Sequence, residues 1–193
     1  MPDITAIAGK VAGIISLVAG IPYIIAILRG QTKPNRATWL IWFVVGCVVG
    51  VSYYSSGARD TMWVPITYII GPFVITILSF KYGEGGWTKF DRYCLLGACA
   101  SLVLWWMFNS PLIALITNLF IDFMGALPTL RKSYYEPEKE NGLAWALSFL
   151  SNLVNIFAVK QWTFAIAIYP IYMIVVSGLI TALVLRKVTN RNI

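Results

Sequence analysis

The sequence predicts an all-α membrane protein with seven transmembrane helices, arranged as two parallel three-helix bundles joined by a linker helix. Composition is the first reason, because 59% of the 193 residues are hydrophobic, 12% are charged, and the mean hydropathy is +0.74. So few polar residues cannot cover the surface of a water-soluble globule. The other two reasons are seven apolar runs and an internal repeat that relates the first three runs to the last three.

A bilayer requires a helix of about 17 to 25 apolar residues. The first run is too long for the core of a signal peptide, lacks a basic leader and continues to Arg29, so we expect it to be retained. The fourth run is the weakest because it is short and contains Trp105 and Trp106, and Pro111 can start the fifth. The seven predicted helices cover residues 5–28, 38–56, 61–80, 93–108, 111–130, 142–159 and 162–185.

The internal repeat is the pattern P-x10-K-x-N-x3-W-x3-F, which occurs twice without an insertion or deletion. Each copy starts at the end of one apolar run and finishes inside the next, so the repeating unit is a helix–loop–helix. The two copies are Pro22, Lys33, Asn35, Trp39 and Phe43, and Pro128, Lys139, Asn141, Trp145 and Phe149.

This repeat divides the chain into three parts. Residues 1–81 form the first three-helix repeat, residues 82–108 the linker loop and fourth helix, and residues 109–193 the second repeat. A single linker span makes both repeats enter the membrane from the same side. They are therefore expected to be parallel, related by an axis along the membrane normal.

Basic residues predict the orientation of the chain. With the N-terminus outside and the C-terminus cytoplasmic, twelve of the fifteen Lys and Arg residues lie on the cytoplasmic side, which is a strong positive-inside bias. The same residues explain the net charge of +7 through contact with an anionic leaflet rather than with nucleic acid. These twelve are Arg29, Lys33, Arg36, Lys81, Lys89, Arg92, Arg131, Lys132, Lys139, Arg186, Lys187 and Arg191.

Several classes of protein are disfavoured by the residues that the chain lacks. The sequence has no histidine, and its three cysteines show no metal-ligand spacing, so a metal site or a histidine-based nucleophile is not expected. The glycines at 83 and 85–86 are not followed by Lys-Ser or Lys-Thr, as a phosphate-binding loop requires. The last run has no lysine to which retinal could be attached, which disfavours a seven-helix retinal protein. We therefore expect neither an enzyme nor a cofactor.

Polar residues inside the apolar runs are the candidate binding site. Asp122 is the only acid in the interior of a predicted span, where an ionisable group is costly unless it faces a cavity or a partner. Asn118 lies one turn before it, while Ser148, Asn152 and Asn155 share a face of the sixth helix. Two such faces at one depth would form a small chamber. The alternative is that these groups only join helices by hydrogen bonds.

The repeated prolines, Pro22 and Pro128, are candidate hinges. Each occupies the last third of its predicted helix, where proline removes a backbone hydrogen bond and permits bending. A helix that bends only to pack is the alternative. Tryptophans near the predicted interfaces are expected mostly to anchor the protein there, namely Trp39, Trp42, Trp63, Trp87 and Trp162. Repetition of Trp39 and Trp145 favours the alternative for these two, which is packing inside each triplet.

These motifs resemble the PQ-loop and SWEET superfamily of small transporters, and in particular an uncharacterised bacterial branch. The resemblance is carried by Gly20 to Tyr23 with Lys33 to Trp39, and by Ala126 to Thr129 with Trp145 to Asn152. The family has glutamine after the signature proline, where this chain has Tyr23 and Thr129. Sugar-transporting members have asparagines in their third and seventh helices, where this chain offers Thr67, Tyr68, Tyr169, Tyr172 and Ser177, of which Tyr68 and Tyr172 are candidate binding residues.

The resemblance implies that the third helix of each repeat packs between the first two and that the prolines bend during alternating access. We therefore expect a secondary transporter or facilitator that binds a small solute between the repeats, namely a sugar-like, amino-acid-like or cationic metabolite. A proton linked through Asp122 is a candidate second partner. The alternative is a non-transporting receptor or scaffold of the same fold. We expect it in the bacterial inner membrane, and a homo-oligomer is an open alternative.

Overall fold

The structure is a computed structural model that describes residues 4–55, 63–84, 87–107, 111–159, 162 and 164–186. These residues form seven α-helices and no strand, which confirms the all-α class and the number of helices. Short 3-10 helices at Pro137–Lys139 and Ile156–Ala158 lie on either side of the sixth helix. The helices are α1 (Ile4–Leu28), α2 (Arg36–Ser55), α3 (Trp63–Tyr82), α4 (Lys89–Met107), α5 (Pro111–Tyr135), α6 (Gly142–Asn155) and α7 (Phe164–Leu185).

The repeated asparagines cap α2 and α6. The side-chain oxygen of Asn35 accepts a hydrogen bond from the backbone N–H of Thr38 at 3.1 Å, and that of Asn141 accepts from Ala144 at 2.8 Å. Each bond satisfies a donor that the first turn of a helix leaves without a partner. The spacing from asparagine to tryptophan, which is the same in both copies of the repeat, therefore fixes where each of these helices begins.

Two helices extend beyond their predicted ends, and α6 ends at Asn155 rather than at 159 because the chain continues there as a 3-10 helix. α4 begins at Lys89 rather than at 93, because Thr88 and Asp91 form a reciprocal capping box with bonds of 3.0 and 3.1 Å. α5 continues to Tyr135 rather than ending at 130, since no proline or glycine lies between residue 130 and Pro137. Lys132 therefore lies on a helix and not in a loop.

The two helix triplets have the same pattern of contacts. α3 packs against both α1 and α2, and α7 packs against both α5 and α6. Among the described residues, α1 does not pack on α2, nor α5 on α6. The triplets meet where α1 packs against α6 and where α2 packs against α5, while α4 lies against α5 and α2.

The largest buried cluster lies where the triplets meet. It includes Tyr23 of α1, Trp39 of α2 and Trp145 of α6, with Trp42 packed against it. Gly125 of α5 allows α2 to approach, because a Cβ there would lie 2.9 Å from Ile41 and 3.0 Å from the Trp42 indole. The contact between α2 and α5 therefore depends on the absence of a side chain at this position.

The helices leave many apolar side chains exposed. Within the described residues, Ile4–Leu28 and Ala167–Leu185 are long and apolar enough to cross a membrane, and shorter apolar helices lie over Arg36–Cys47, Ile69–Tyr82 and Gly142–Ala158. This finding is consistent with association with a membrane. The seven membrane spans, their 3+1+3 arrangement and their orientation stay predictions from the sequence.

Candidate functional site

Asp122 is buried where three helices from both triplets meet. Its Oδ2 atom accepts a hydrogen bond of 2.7 Å from the hydroxyl of Tyr172 on α7. Its backbone carbonyl accepts a bond of 3.2 Å from the indole N–H of Trp42 on α2. Only 7% of the residue is exposed, so its carboxyl group lies in a site of low polarity. The structure thus joins two of the predicted site residues, Asp122 and Tyr172.

The same face of α5 carries a second buried acceptor. Asn118 lies one turn before Asp122, and its side-chain oxygen is buried without a hydrogen-bond partner in the described part of the chain. On α7, the Tyr169 ring lies one turn before Tyr172, with 6.3 Å between the ring centroids. This face of α5 therefore carries a carboxylate and an amide oxygen, and α7 brings the Tyr172 hydroxyl to the carboxylate.

The polar residues of α6 are bonded to other helices. Asn152 is buried and donates a hydrogen bond of 3.1 Å to the Ser177 hydroxyl on α7. Ser151, which the sequence analysis did not select, donates a bond of 2.8 Å to the Ala12 carbonyl on α1. Since α7 lies between α5 and α6, the two polar faces meet α7 rather than each other.

The remaining predicted binding residues are less well connected. Ser148 is half-buried on α6, and Asn155 is half-buried at the last position of that helix. The side chain of Tyr68 lies outside the described residues. Nothing in the described contacts joins these three residues to Asp122.

Both repeated prolines lie inside helices. Pro22 is half-buried within α1, which continues to Leu28, and Pro128 is buried within α5, which continues to Tyr135. Because proline has no N–H, the carbonyls four residues earlier, at Val18 and Met124, lose their usual helical donor. Bending at these positions stays a prediction.

The loops that follow the prolines are joined at one end of the bundle. The backbone N–H of Lys33 in the first loop donates to the carbonyl of Lys139 in the second at 3.1 Å. The ammonium of Lys132 donates to the Lys33 carbonyl and forms an ion pair with Glu140. Here Lys33, Lys132, Lys139 and Glu140 are called the motif-loop interlock.

Four aromatic rings lie directly beside this interlock. Tyr23, Trp39, Trp42 and Trp145 form a closed set of contacts, with centroid distances of 5.1 to 6.2 Å between neighbouring rings. The Trp145 indole donates to Glu140 at 2.9 Å and so connects the rings to the ion pair. Trp39 and Trp145 thus pack inside the protein, but where the two triplets meet rather than within each triplet, and Trp42 packs there too instead of anchoring at an interface.

The interlock was not predicted from the sequence, in which Lys132 counted only among the basic residues of the cytoplasmic side. Lys132 and Glu140 have side chains that are 2% and 0% exposed, which is rare for charged residues unless they are paired. Glu84, between α3 and α4, lies 3.9 Å from the Lys132 ammonium. Burial raises the pKa of the Glu84 carboxyl, and the nearby Lys132 only partly opposes this shift.

No group of three or more Cys, Asp or Glu residues in the described part of the chain could hold a metal ion. No family model, no curated protein and no solved structure matches the chain. Membership of the PQ-loop and SWEET superfamily therefore stays a prediction from the repeated motif.

Proposed function

We propose that the chain is an integral membrane carrier that moves a small metabolite by alternating access, with the solute bound beside Asp122. The observation that supports this most is the position of Asp122, which is buried and contacted by Trp42 of the first repeat and Tyr172 of the second. A solute held there would touch both repeats. Relative movement of the repeats would then change the contacts of the site.

Exposed apolar surface supports the membrane part of the proposal. Along α1, Ile14, Leu17, Ile21 and Leu28 are each more than half exposed. Water would disfavour so much apolar surface on a monomer, whereas a lipid bilayer would cover it at no cost. The positive-inside bias supports a cytoplasmic side for the motif loops and an inner-membrane location.

The packing of the helices supports two equivalent moving units. α1 and α6 pack together, as do α2 and α5, and these are equivalent pairs when the repeat is applied. The third helix of each triplet contacts the first two, which are apart. This is the arrangement that resemblance to the PQ-loop and SWEET superfamily implies.

The chemistry of the site favours a solute that donates hydrogen bonds or carries a positive charge. The described partner of the Asp122 carboxylate is the Tyr172 hydroxyl, which does not neutralise its charge, while the Trp42 indole bonds only to the Asp122 backbone carbonyl. A buried carboxylate in a membrane needs a cation or a proton. A cationic metabolite, or a neutral sugar-like or amino-acid-like solute accompanied by a proton, would meet this need.

Binding tests this site without any assumption about transport. The unfolding temperature of the purified protein should rise with one class among sugars, amino acids and alkylamines, because a ligand stabilises the state that binds it. Asp122→Asn and Tyr172→Phe should weaken this binding by about tenfold or more, as expected when a hydrogen bond to a charged group is lost.

Ser151→Ala is the matched control, because it removes a buried hydrogen bond of similar length at the contact between α6 and α1. It should lower stability slightly and leave the affinity unchanged. A ligand that binds the Asp122→Asn and Tyr172→Phe variants as tightly as the unaltered protein would rule out the proposed site.

A further inference from the structure

We propose that Lys132 is a latch that holds the two motif loops together and sets how readily this end of the bundle opens. The inference rests on the proposed function, since a latch has a role only if the two repeats move. It concerns a different part of the molecule, however, because none of its residues contacts the Asp122 carboxyl group.

Most of the latch belongs to the second repeat. Lys132 is on α5, and both its carboxylate partner, Glu140, and the Trp145 indole bonded to Glu140 lie in the same half of the chain. The ion pair can therefore stay intact while the repeats separate. Glu140 is a positioning residue that aims the Lys132 ammonium at the first motif loop.

Few bonds cross from this unit to the first loop. They are the bond from the Lys132 ammonium to the Lys33 carbonyl and the backbone bond from Lys33 to Lys139. The Lys132–Glu84 contact, at 3.9 Å, also links the unit to the segment after α3. That segment is tied to the first loop, because the Glu84 N–H donates to the Pro34 carbonyl at 3.2 Å. Opening this end would break these contacts together with the 2.9 Å hydrogen bond from Thr129 to Thr38 and the contacts of the Trp145 ring with Tyr23 and Trp42.

The latch has no counterpart in the first repeat. The positions equivalent to Lys132 and Glu140 hold Ala26 and Pro34, which cannot form an ion pair. Symmetry of the repeat therefore does not explain Lys132. A charged side chain that is 2% exposed, and that spans from one repeat to the loop of the other, indicates a specific role at their junction.

Unsatisfied polar groups surround the latch. The Tyr23 hydroxyl lies beside Glu140 and the Trp39 indole, and neither this hydroxyl nor the Trp39 N–H has a partner with hydrogen-bond geometry among the described residues. The Ser133 hydroxyl is also buried without a partner there, and Glu84 Oε1, which lies 3.9 Å from the Lys132 ammonium, accepts no hydrogen bond from the described residues. Such groups raise the free energy of the closed arrangement, because water would satisfy them when this end opens. The bonds of Lys132 offset part of this cost in the closed arrangement.

Spin labels would test the latch directly and without a solute. Gln31→Cys and Glu138→Cys, both at exposed positions, place one label on each motif loop after Cys47, Cys94 and Cys99 are replaced by alanine. The distance distribution of the otherwise unaltered protein should be mainly short. Lys132→Met, which keeps an apolar stem of similar length, should raise the ratio of long to short distances by about tenfold.

Lys139→Met is the matched control, because this half-buried lysine pairs its side chain with Glu136 and keeps its backbone bond to Lys33. It should leave the distribution unchanged. A folded Lys132→Met protein with an unaltered distribution would overturn the proposal, as would an equal shift in Lys139→Met.

A second pair of cysteines keeps the inference testable if Lys132→Met does not fold. A disulfide between Lys33→Cys and Lys139→Cys would join the two loops. It should slow solute exchange by about tenfold or more, and reduction of the disulfide should restore the rate. Undiminished exchange by the oxidised protein would contradict the latch while leaving the carrier proposal intact. Absence of exchange in every form, with the spin-label shift present, would contradict the carrier proposal alone.

Discussion

At the scale of single residues, backbone packing around Gly83 illustrates how tightly the first motif loop is held. The Gly83 N–H donates to the Ser79 carbonyl at 2.9 Å. A Cβ at this position would lie 2.3 Å from the Ser79 oxygen and 2.6 Å from the Pro34 oxygen, both of which are backbone atoms. Neither contact can be relieved by rotating a side chain.

We therefore expect Gly83→Ala to destabilise the protein by more than about 2 kcal/mol, in the range of strained substitutions. Gly13→Ala is the control, because nothing lies within 4 Å of its Cβ position and alanine favours a helix by about 0.5–1 kcal/mol. Thermal unfolding of the purified variants would measure both. Equal stability of the two variants would mean that Gly83 is not closely packed.

Glu84 should make stability depend on pH. Its pKa is raised above the unfolded value by burial, which outweighs attraction from Lys132 and Lys139, while Glu136 and Glu140 add to the increase. The folded state therefore favours the neutral form of the Glu84 side chain. Its contribution to stability is present below the unfolded pKa and is lost as pH rises through the folded pKa.

Glu84→Gln should accordingly unfold at a higher temperature than the unaltered protein at neutral pH. The difference should disappear below the ordinary pKa of a glutamate, where both proteins carry a neutral side chain. Unfolding temperatures between pH 4 and pH 8 would measure this. A variant that is less stable at neutral pH would show instead that the ion pair with Lys132 outweighs burial.

At the scale of the helices, hydropathy predicted seven helices because a bilayer sets a minimum length for each apolar run. It did not predict the ends of α4 and α5, where polar residues extend the helix beyond the apolar part. In α4 the reason is the capping box of Thr88 and Asp91. In α5 the added turn carries Lys132 into the interlock, which no apolar pattern could reveal.

The repeated asparagines give a prediction at this scale. Asn141→Ala should cost about 1 kcal/mol through the loss of one helix cap. Asn35→Ala should cost more, since the Asn35 amide also donates to Asp91 of α4 at 3.2 Å. Chemical unfolding would compare the two, and Asn141→Asp should restore most of the loss because aspartate also caps helices. Equal costs would show that the bond to Asp91 contributes little.

At the scale of the whole molecule, the sequence identified single residues of the site better than their pairing. Asp122 was found because a carboxylate inside an apolar run is costly. Its bond to Tyr172 depends on how α5 and α7 are rotated about their axes. The bond from Asn152 to Ser177 likewise depends on how α6 and α7 are rotated. Such rotations follow from packing among several helices, which one amphipathic pattern does not specify.

The central claim is that Asp122 binds a solute that the repeats carry across a membrane. Solute counterflow into proteoliposomes, with a labelled member of the class that stabilises the protein, tests this claim most directly. The unaltered protein and Ser151→Ala should accumulate label transiently, while Asp122→Asn should lose about nine-tenths of the rate or more. Binding without counterflow in the unaltered protein would contradict a carrier and favour a receptor, and full counterflow by Asp122→Asn would contradict the site.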